Sequence, residues 1–185
     1  KGRLSGFRTP GRAGTAGQKL FSIFNAAASP VLVDLEKLNI DYYATAARTV
    51  APPIVRVVRI TAEPTNGTAL TNTAPQNTAL SSSASVTFRG DASADGTSSA
   101  SALTHAHANG TITNVYTHMY SPRNLTLVGY EPWDRQEFMD SADELLLLRA
   151  GEGVLVFLDY ATATFNPVTD MYLVNVKWTE YTLAV

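Results

Sequence analysis

The densest run of large apolar residues lies at 145–160, LLLLRAGEGVLVFLDY, where two apolar stretches flank a short Gly-containing turn. Loops of four or five residues with Gly commonly join antiparallel strands, so a hairpin is expected here. Periodicity alone leaves 145–149 open between helix and strand; its shortness and the Gly turn that follows favour strand. Positions 154–158 are apolar without interruption rather than at every second position. In an antiparallel sheet such a strand needs cover on both faces. One face suits the domain's own core, and the other a neighbouring subunit or a covering loop. Val154, Leu155, Val156, Phe157 and Leu158 are therefore read as a subunit interface.

The rest of the pattern is also one of strands. Residues 20–25, LFSIFN, form a short β-rich run that ends in small residues at 26–30. Val31, Val33 and Leu35 alternate with Asp34 and Glu36, the period of a half-buried strand. After Lys37 the apolar phase flips to Leu38 and Ile40, the one-residue shift that a β-bulge produces. Pro52 and Pro53 open a strand at 54–61, with Arg56 and Arg59 on opposite faces; proline is tolerated at a strand start. Residues 62–110 are rich in Ala, Ser, Thr and Asn, with one strand-like piece at 85–89 and a turn-forming tract at 90–101. Long loops of this kind in a compact domain are functional or disordered, and this stretch is the expected exposed face. Asn109-Gly110 signals a turn before a strand at 111–120, and another run covers 125–130. Glu131-Pro132-Trp133 breaks the pattern, and Ser141 with Glu144 fits a capping box for one helical turn. At 170–182 Tyr172, Val174, Val176 and Trp178 share one face of a strand, and Asn175, Lys177 and Thr179 the other. About eight short strands, at most one brief helix and no internal repeat predict an all-β antiparallel β-sandwich or barrel.

Composition changes this picture at one end. The chain has 185 residues, enough for one domain with a substantial core, and 45% of them are hydrophobic while only 16% are charged. The formal charge of −2 argues against a dedicated nucleic-acid binder, but it hides an asymmetry. Lys1, Arg3, Arg8, Arg12 and Lys19 place five cations in residues 1–19 with no acid among them. The body then holds 9 basic against 16 acidic residues, about −7 by the same count. With Leu4 and Phe7 as its only large apolar residues, 1–19 buries too little surface to fold alone. It is expected to be an extended basic arm, ordered on a partner, ahead of a single sandwich domain over 20–185. There is no cysteine, which removes disulfide and thiolate chemistry. No apolar run reaches the roughly 20 residues of a membrane-spanning helix, and the opening lacks the apolar core of a signal peptide. A soluble chain is expected.

Candidate chemistry is sparse. His105 and His107 have the spacing of two ligands on one strand face, with His118 as a third, yet no acid lies near them; surface imidazoles are the simpler reading. Glu131, Asp134, Glu137, Asp140, Asp143 and Glu144 could supply paired carboxylates for a glycosidase. A solvated acidic face, or one that receives the basic arm of another copy, explains them as well. Asp91, Asp95 and Gly96 lack the rest of a calcium loop. Asn66, Asn109 and Asn124 begin glycosylation sequons, two of which are Asn-Gly turns in their own right. Tyr116, Tyr120, Tyr130 and Trp133 could stack on sugar rings, although aromatic residues on strands more often face a core. No nucleophile elbow is present. The expectation is a non-enzymatic protein with no metal and no cofactor.

Two stretches resemble known proteins. Gly17-Gln18-Lys19-Leu20-Phe21-Ser22-Ile23-Phe24-Asn25, followed by a small-residue turn and residues 31–38, resembles the start of some tailed-bacteriophage virion structural proteins. Leu148-Arg149-Ala150-Gly151-Glu152-Gly153-Val154-Leu155-Val156 is similar to the L-R-P-G-E-G strand–turn–strand of many jelly-roll virion proteins, with Ala150 where Pro is common. The resemblance covers both ends of the domain and leaves 62–140 unmatched. It implies a jelly-roll decoration (cement) protein on the capsid surface of a virion. The implied partners are the major capsid protein or other virion subunits, with a homo-oligomer, guessed a trimer, and neither membrane nor specific nucleic acid. The alternative is a carbohydrate- or receptor-binding module of a phage tail or spike.

Overall fold

The computed structural model describes residues 2–10, 17–44, 54–70, 74–75, 85–91, 103–104, 117–120, 129–139, 146–159 and 170–182. Its described strands are β1 (Gly2–Pro10), β2 (Lys19–Asn25), β3 (Val31–Ala44), β4 (Ile54–Ile60), β5 (Thr68–Ala69) and β6 (Ala74–Pro75). They continue with β7 (Val86–Gly90), β8 (Thr117–Tyr120), β9 (Gly129–Met139), β10 (Leu146–Leu148), β11 (Glu152–Asp159) and β12 (Asp170–Thr182). No helix occurs among the described residues. The capping-box turn at 141–144 lies outside them.

Every described ladder is antiparallel, and the strands form two sheets. Sheet A runs β10-β3-β12-β1-β6, with β9 also paired to β3; sheet B runs β5-β7-β2-β11-β4-β8. The pairing is nested. β1 pairs with β12, β2 with β11, β3 with both β9 and β10, and β4 with β8. Early strands thus meet late strands in reverse order, as when a long hairpin is folded over on itself, and the result is a jelly-roll sandwich. Strands β5, β6 and β7, from the Ala/Ser/Thr-rich part of the chain, extend its edges.

The core lies between the sheets and follows directly from alternation. Val31, Val33, Leu35, Leu38, Ile40 and Tyr42 from β3 meet Tyr172, Val174, Val176 and Trp178 from β12 on the inner side of sheet A. Sheet B supplies Phe21, Ile23, Val55, Val57, Phe88, Val154, Val156 and Leu158. Phe88 and Trp178 touch across the gap with ring centroids 4.4 Å apart, and Tyr42 and Tyr172 neighbour each other at 5.6 Å. The phase flip after Lys37 is a bulge in the structure: Lys177 faces Lys37 and Trp178 faces Leu35, so Glu36 is the extra residue.

Three expectations are corrected. The two apolar runs of 145–160 do not form a hairpin. β10 pairs with β3 in sheet A, whereas β11 pairs with β2 and β4 in sheet B. The turn between them is a corner from one sheet to the other. Glu152 N donates to Arg149 O (3.1 Å), and Gly151, at φ 79°, takes the left-handed position that a type II turn requires. Ala150 occupies the position of that turn where proline is favoured. Next, Glu131-Pro132-Trp133 does not end a strand. Tyr43 pairs with Tyr130 and Asp41 with Arg135, so residues 131–134 bulge from the ladder opposite Tyr42. Pro132, which has no N–H to donate, sits where no ladder bond is needed.

The third correction concerns the basic segment. Gly2–Pro10 is not an arm outside the body but the first strand of the roll. Leu4 faces Val176 and Phe7 faces Val174, both of them core residues, and a register shift lies between the two pairs. At the other end of the segment Lys19 belongs to β2, so the boundary at residue 19 is no break in the structure.

Candidate interaction site

β11 is the strand on which a partner surface was expected. Val154, Leu155, Val156, Phe157 and Leu158 are all 0% exposed in the single chain. They cannot offer a subunit interface, because this chain already covers both faces. Val154, Val156 and Leu158 join the core between the sheets. Leu155 and Phe157 form a second apolar cluster with Phe24, Val58, Ile60 and Leu103 on the outer side of sheet B.

Leu103 is the residue that sequence reasoning missed. Thr104 N donates to Thr65 O (2.9 Å) and Thr65 N to Thr104 O (3.0 Å), while the two hydroxyls lie 2.8 Å apart. This bridge holds Leu103 against the outer cluster. Asn66 and Gly67 follow at φ 57° and 67°, a double left-handed turn of the kind the Asn-Gly pair favours. Gly67 is needed there twice over, since a Cβ would lie 2.6 Å from Gly90 O and 3.1 Å from Leu103 Cδ1. A signal for Leu103 existed: it is the one large apolar residue between Phe88 and Ile112.

Polar groups fix the corner and the ends of the outer cluster. Asn25, fully buried, donates from Nδ2 to Val31 O (2.8 Å) and Leu148 O (3.1 Å), tying sheet B to two strands of sheet A. Glu152 accepts from Arg149 N (2.8 Å) and pairs with Arg59, whose Nη2 also donates to Leu147 O (2.7 Å). Partial burial pushes the Glu152 carboxyl up, but the backbone donor and the Arg59 guanidinium outweigh this and hold it below the ordinary carboxylate range. Arg56 pairs instead with Asp159 on the outer side, so the two arginines of β4 do point to opposite faces. Gly153 lets β2 approach: a Cβ there would lie 2.5 Å from Ile23 O.

The expected partner-binding cations separate into different environments. Lys19 is buried, with Nζ 4.8 Å from the centre of the Phe157 ring. Desolvation lowers its pKa, partly opposed by Asp159. It is part of the packed body rather than a contact side chain. Arg3 stands opposite Lys177 and Arg8 opposite Leu173 in the ladder of sheet A. Lys1 and Arg12 lie outside the described residues.

The acidic stretch is divided in the same way. Glu131, Asp134 and Glu137 belong to β9, and Asp140, Asp143 and Glu144 lie outside the described residues. Sheet A therefore carries the basic strand β1 on one side of β12 and the acidic strand β9 on the far side of β3. Its outer face between them is polar and partly packed: Asn175 donates to Asp41 (3.4 Å), and Glu36 pairs with Lys177 and accepts from the Thr179 hydroxyl. At one end of this face Leu147 (38%) and Tyr181 (51%) are the exposed large hydrophobics among the described residues.

The other candidate groups are not assembled into a reacting centre among the described residues. His118 lies in β8 opposite Val57, and His105 and His107 are outside the described set. Among the described residues no group of three His, Cys, Asp or Glu is placed to hold a metal ion. Asp91 accepts from the buried Gln18 amide (2.7 Å), a clamp between the ends of β7 and β2; Asp95 and Gly96 are outside. Tyr120 lies in β8, Tyr130 and Trp133 in β9, and Tyr116, Asn109 and Asn124 outside. No helix of the described residues is long and apolar enough to cross a membrane. Compared with protein-family models, curated proteins and solved structures, the chain matches none.

Proposed function

We propose that this chain is a non-enzymatic virion structural protein that decorates or stabilises a phage capsid through contacts between subunits. The observation that carries this reading is the placement of the basic segment. Two of its five cations, Arg3 and Arg8, lie in a strand that is in register with β12 of the roll. A basic strand on an otherwise acidic roll is a docking element for a large partner, since complementary charge orients an approaching surface and speeds encounter. The jelly-roll topology and the likeness of the β10–turn–β11 corner to jelly-roll virion proteins support the same reading. The partner in this reading is the major capsid protein or another virion subunit, at the capsid surface.

Truncating residues 1–19 would remove a strand of sheet A and part of β2, so substitution is the cleaner test. Arg3→Ser with Arg8→Ser should reduce co-sedimentation with phage heads while leaving the melting temperature of the roll nearly unchanged. A reconstruction of particles carrying the chain should place the roll on the capsid shell. Its absence from the shell, or unchanged binding by the substituted chain, overturns the reading. The exposed Tyr181 and Leu147 favour one second reading, a carbohydrate-binding tail or spike module. On a glycan array that module would lose binding on Tyr181→Ala.

A further inference from the structure

The geometry points to a second copy of this chain as the partner of the two charged edges of sheet A, joined head to tail. This rests on the structural role proposed above and specifies one of its contacts. Across the sheet the order is β9-β3-β12-β1. β1 carries Arg3 and Arg8 and no acid, for a net +2; β9 carries Glu131, Asp134 and Glu137 against Arg135, for a net −2. Equal and opposite charge is therefore gathered at the two sides of a single sheet. β6 adjoins β1 only at Gly2 and Arg3, and among the described residues no strand adjoins β1 beyond those positions or β9 on its side away from β3.

Strand direction is compatible as well. β9 runs antiparallel to β3, β3 to β12 and β12 to β1, so β1 and β9 run in opposite senses. Setting β1 of one copy beside β9 of the next continues the antiparallel alternation. Two identical edges would repel, because each row of cations would meet cations. The contact is thus heterologous, and heterologous contacts close into rings when the rotation allows. The trimer implied by the virion resemblance is one such ring.

The test is light scattering on the purified full chain across a salt series. Between about 0.01 M and about 1 M salt the screening length falls from about 30 Å to about 3 Å, so association should weaken by about tenfold or more. Arg3→Glu with Arg8→Glu, and separately Glu131→Lys with Glu137→Lys, should each give a monomer, while an equimolar mixture of the two associates again. Circular dichroism verifies that each variant is folded; where one is not, the salt series on the unaltered chain decides. A chain that is monomeric at low salt, or variants that associate as the unaltered chain does, overturn the inference. A chain that binds phage heads yet stays monomeric overturns this inference alone. One that self-associates through these edges but never binds heads overturns the capsid reading alone.

Discussion

The outer faces of the two sheets differ, although both belong to long central strands. On sheet A, β12 alternates, and its outer side holds Asn175, Lys177 and Thr179 against Glu36, Asn39 and Asp41 of β3. On sheet B, β11 does not alternate, and its outer side holds Leu155 and Phe157 under Leu103. Alternation marks a sheet with one buried side, and an unbroken apolar run marks a sheet with something laid over it. The run itself is silent about what that cover is. Here a short bridge, Thr65 to Thr104, brings the cover from within the same chain.

If that contrast is right, the two faces must respond differently to truncation. Phe157→Ala should cost about 3–5 kcal/mol in urea denaturation, the loss of a fully packed aromatic, even though it lies outside the main core. Asn175→Ala on the opposite outer face should cost about 1 kcal/mol, the value of a modest hydrogen bond. Similar losses at the two positions would break the comparison. Gly67→Ala comes next, at about 1–3 kcal/mol, because its left-handed φ and the close approach of Gly90 O and Leu103 both resist a methyl group.

Much of the fold was legible because it depends on neighbours in sequence. The phase flip after Lys37 located the bulge at Glu36, and the alternation of 170–182 gave β12 and its two faces. What could not be read depends on partners far along the chain. Nothing in LLLLRAGEGVLVFLDY states that β10 will pair with β3 and β11 with β2. β1 was obscured because its two large apolar residues, Leu4 and Phe7, are three apart, and its ladder on β12 carries a register shift between them. The interface expected at 154–158 failed for a related reason: its cover comes from residues distant in sequence, with Leu103 in the outer cluster and Lys19 over the Phe157 ring. The charge division was legible, but the placement of β1 and β9 on two sides of one sheet was not.

Acid should act on the corner between the sheets before it reaches either apolar cluster. Glu152 has a folded pKa below its unfolded value, so its contribution is complete above the unfolded value and is lost as pH falls through the folded one. Glu152→Gln should therefore flatten the acid limb of the stability–pH curve and leave the neutral plateau lower. An unchanged acid limb would show that the Arg59–Glu152–Arg149 clamp contributes nothing. The smallest effect is expected at Lys19, whose folded pKa is depressed by burial. Its charge costs stability at neutral pH, and the cost fades as pH rises through the folded pKa. Lys19→Met should be neutral or stabilising by about 1 kcal/mol, with Asp159 still paired to Arg56.

The absence of native cysteine permits a direct test of the sealed outer face. Leu155→Cys introduces a single thiol beneath Leu103, and Tyr181→Cys a single exposed control. Their reaction with a thiol reagent is measured on dilute, monomeric, folded protein. The expected result is immediate modification at 181 and modification at 155 no faster than unfolding, because the chain alone closes that face. Prompt labelling at 155 would show the second face of β11 open in the monomer, and would contradict the account.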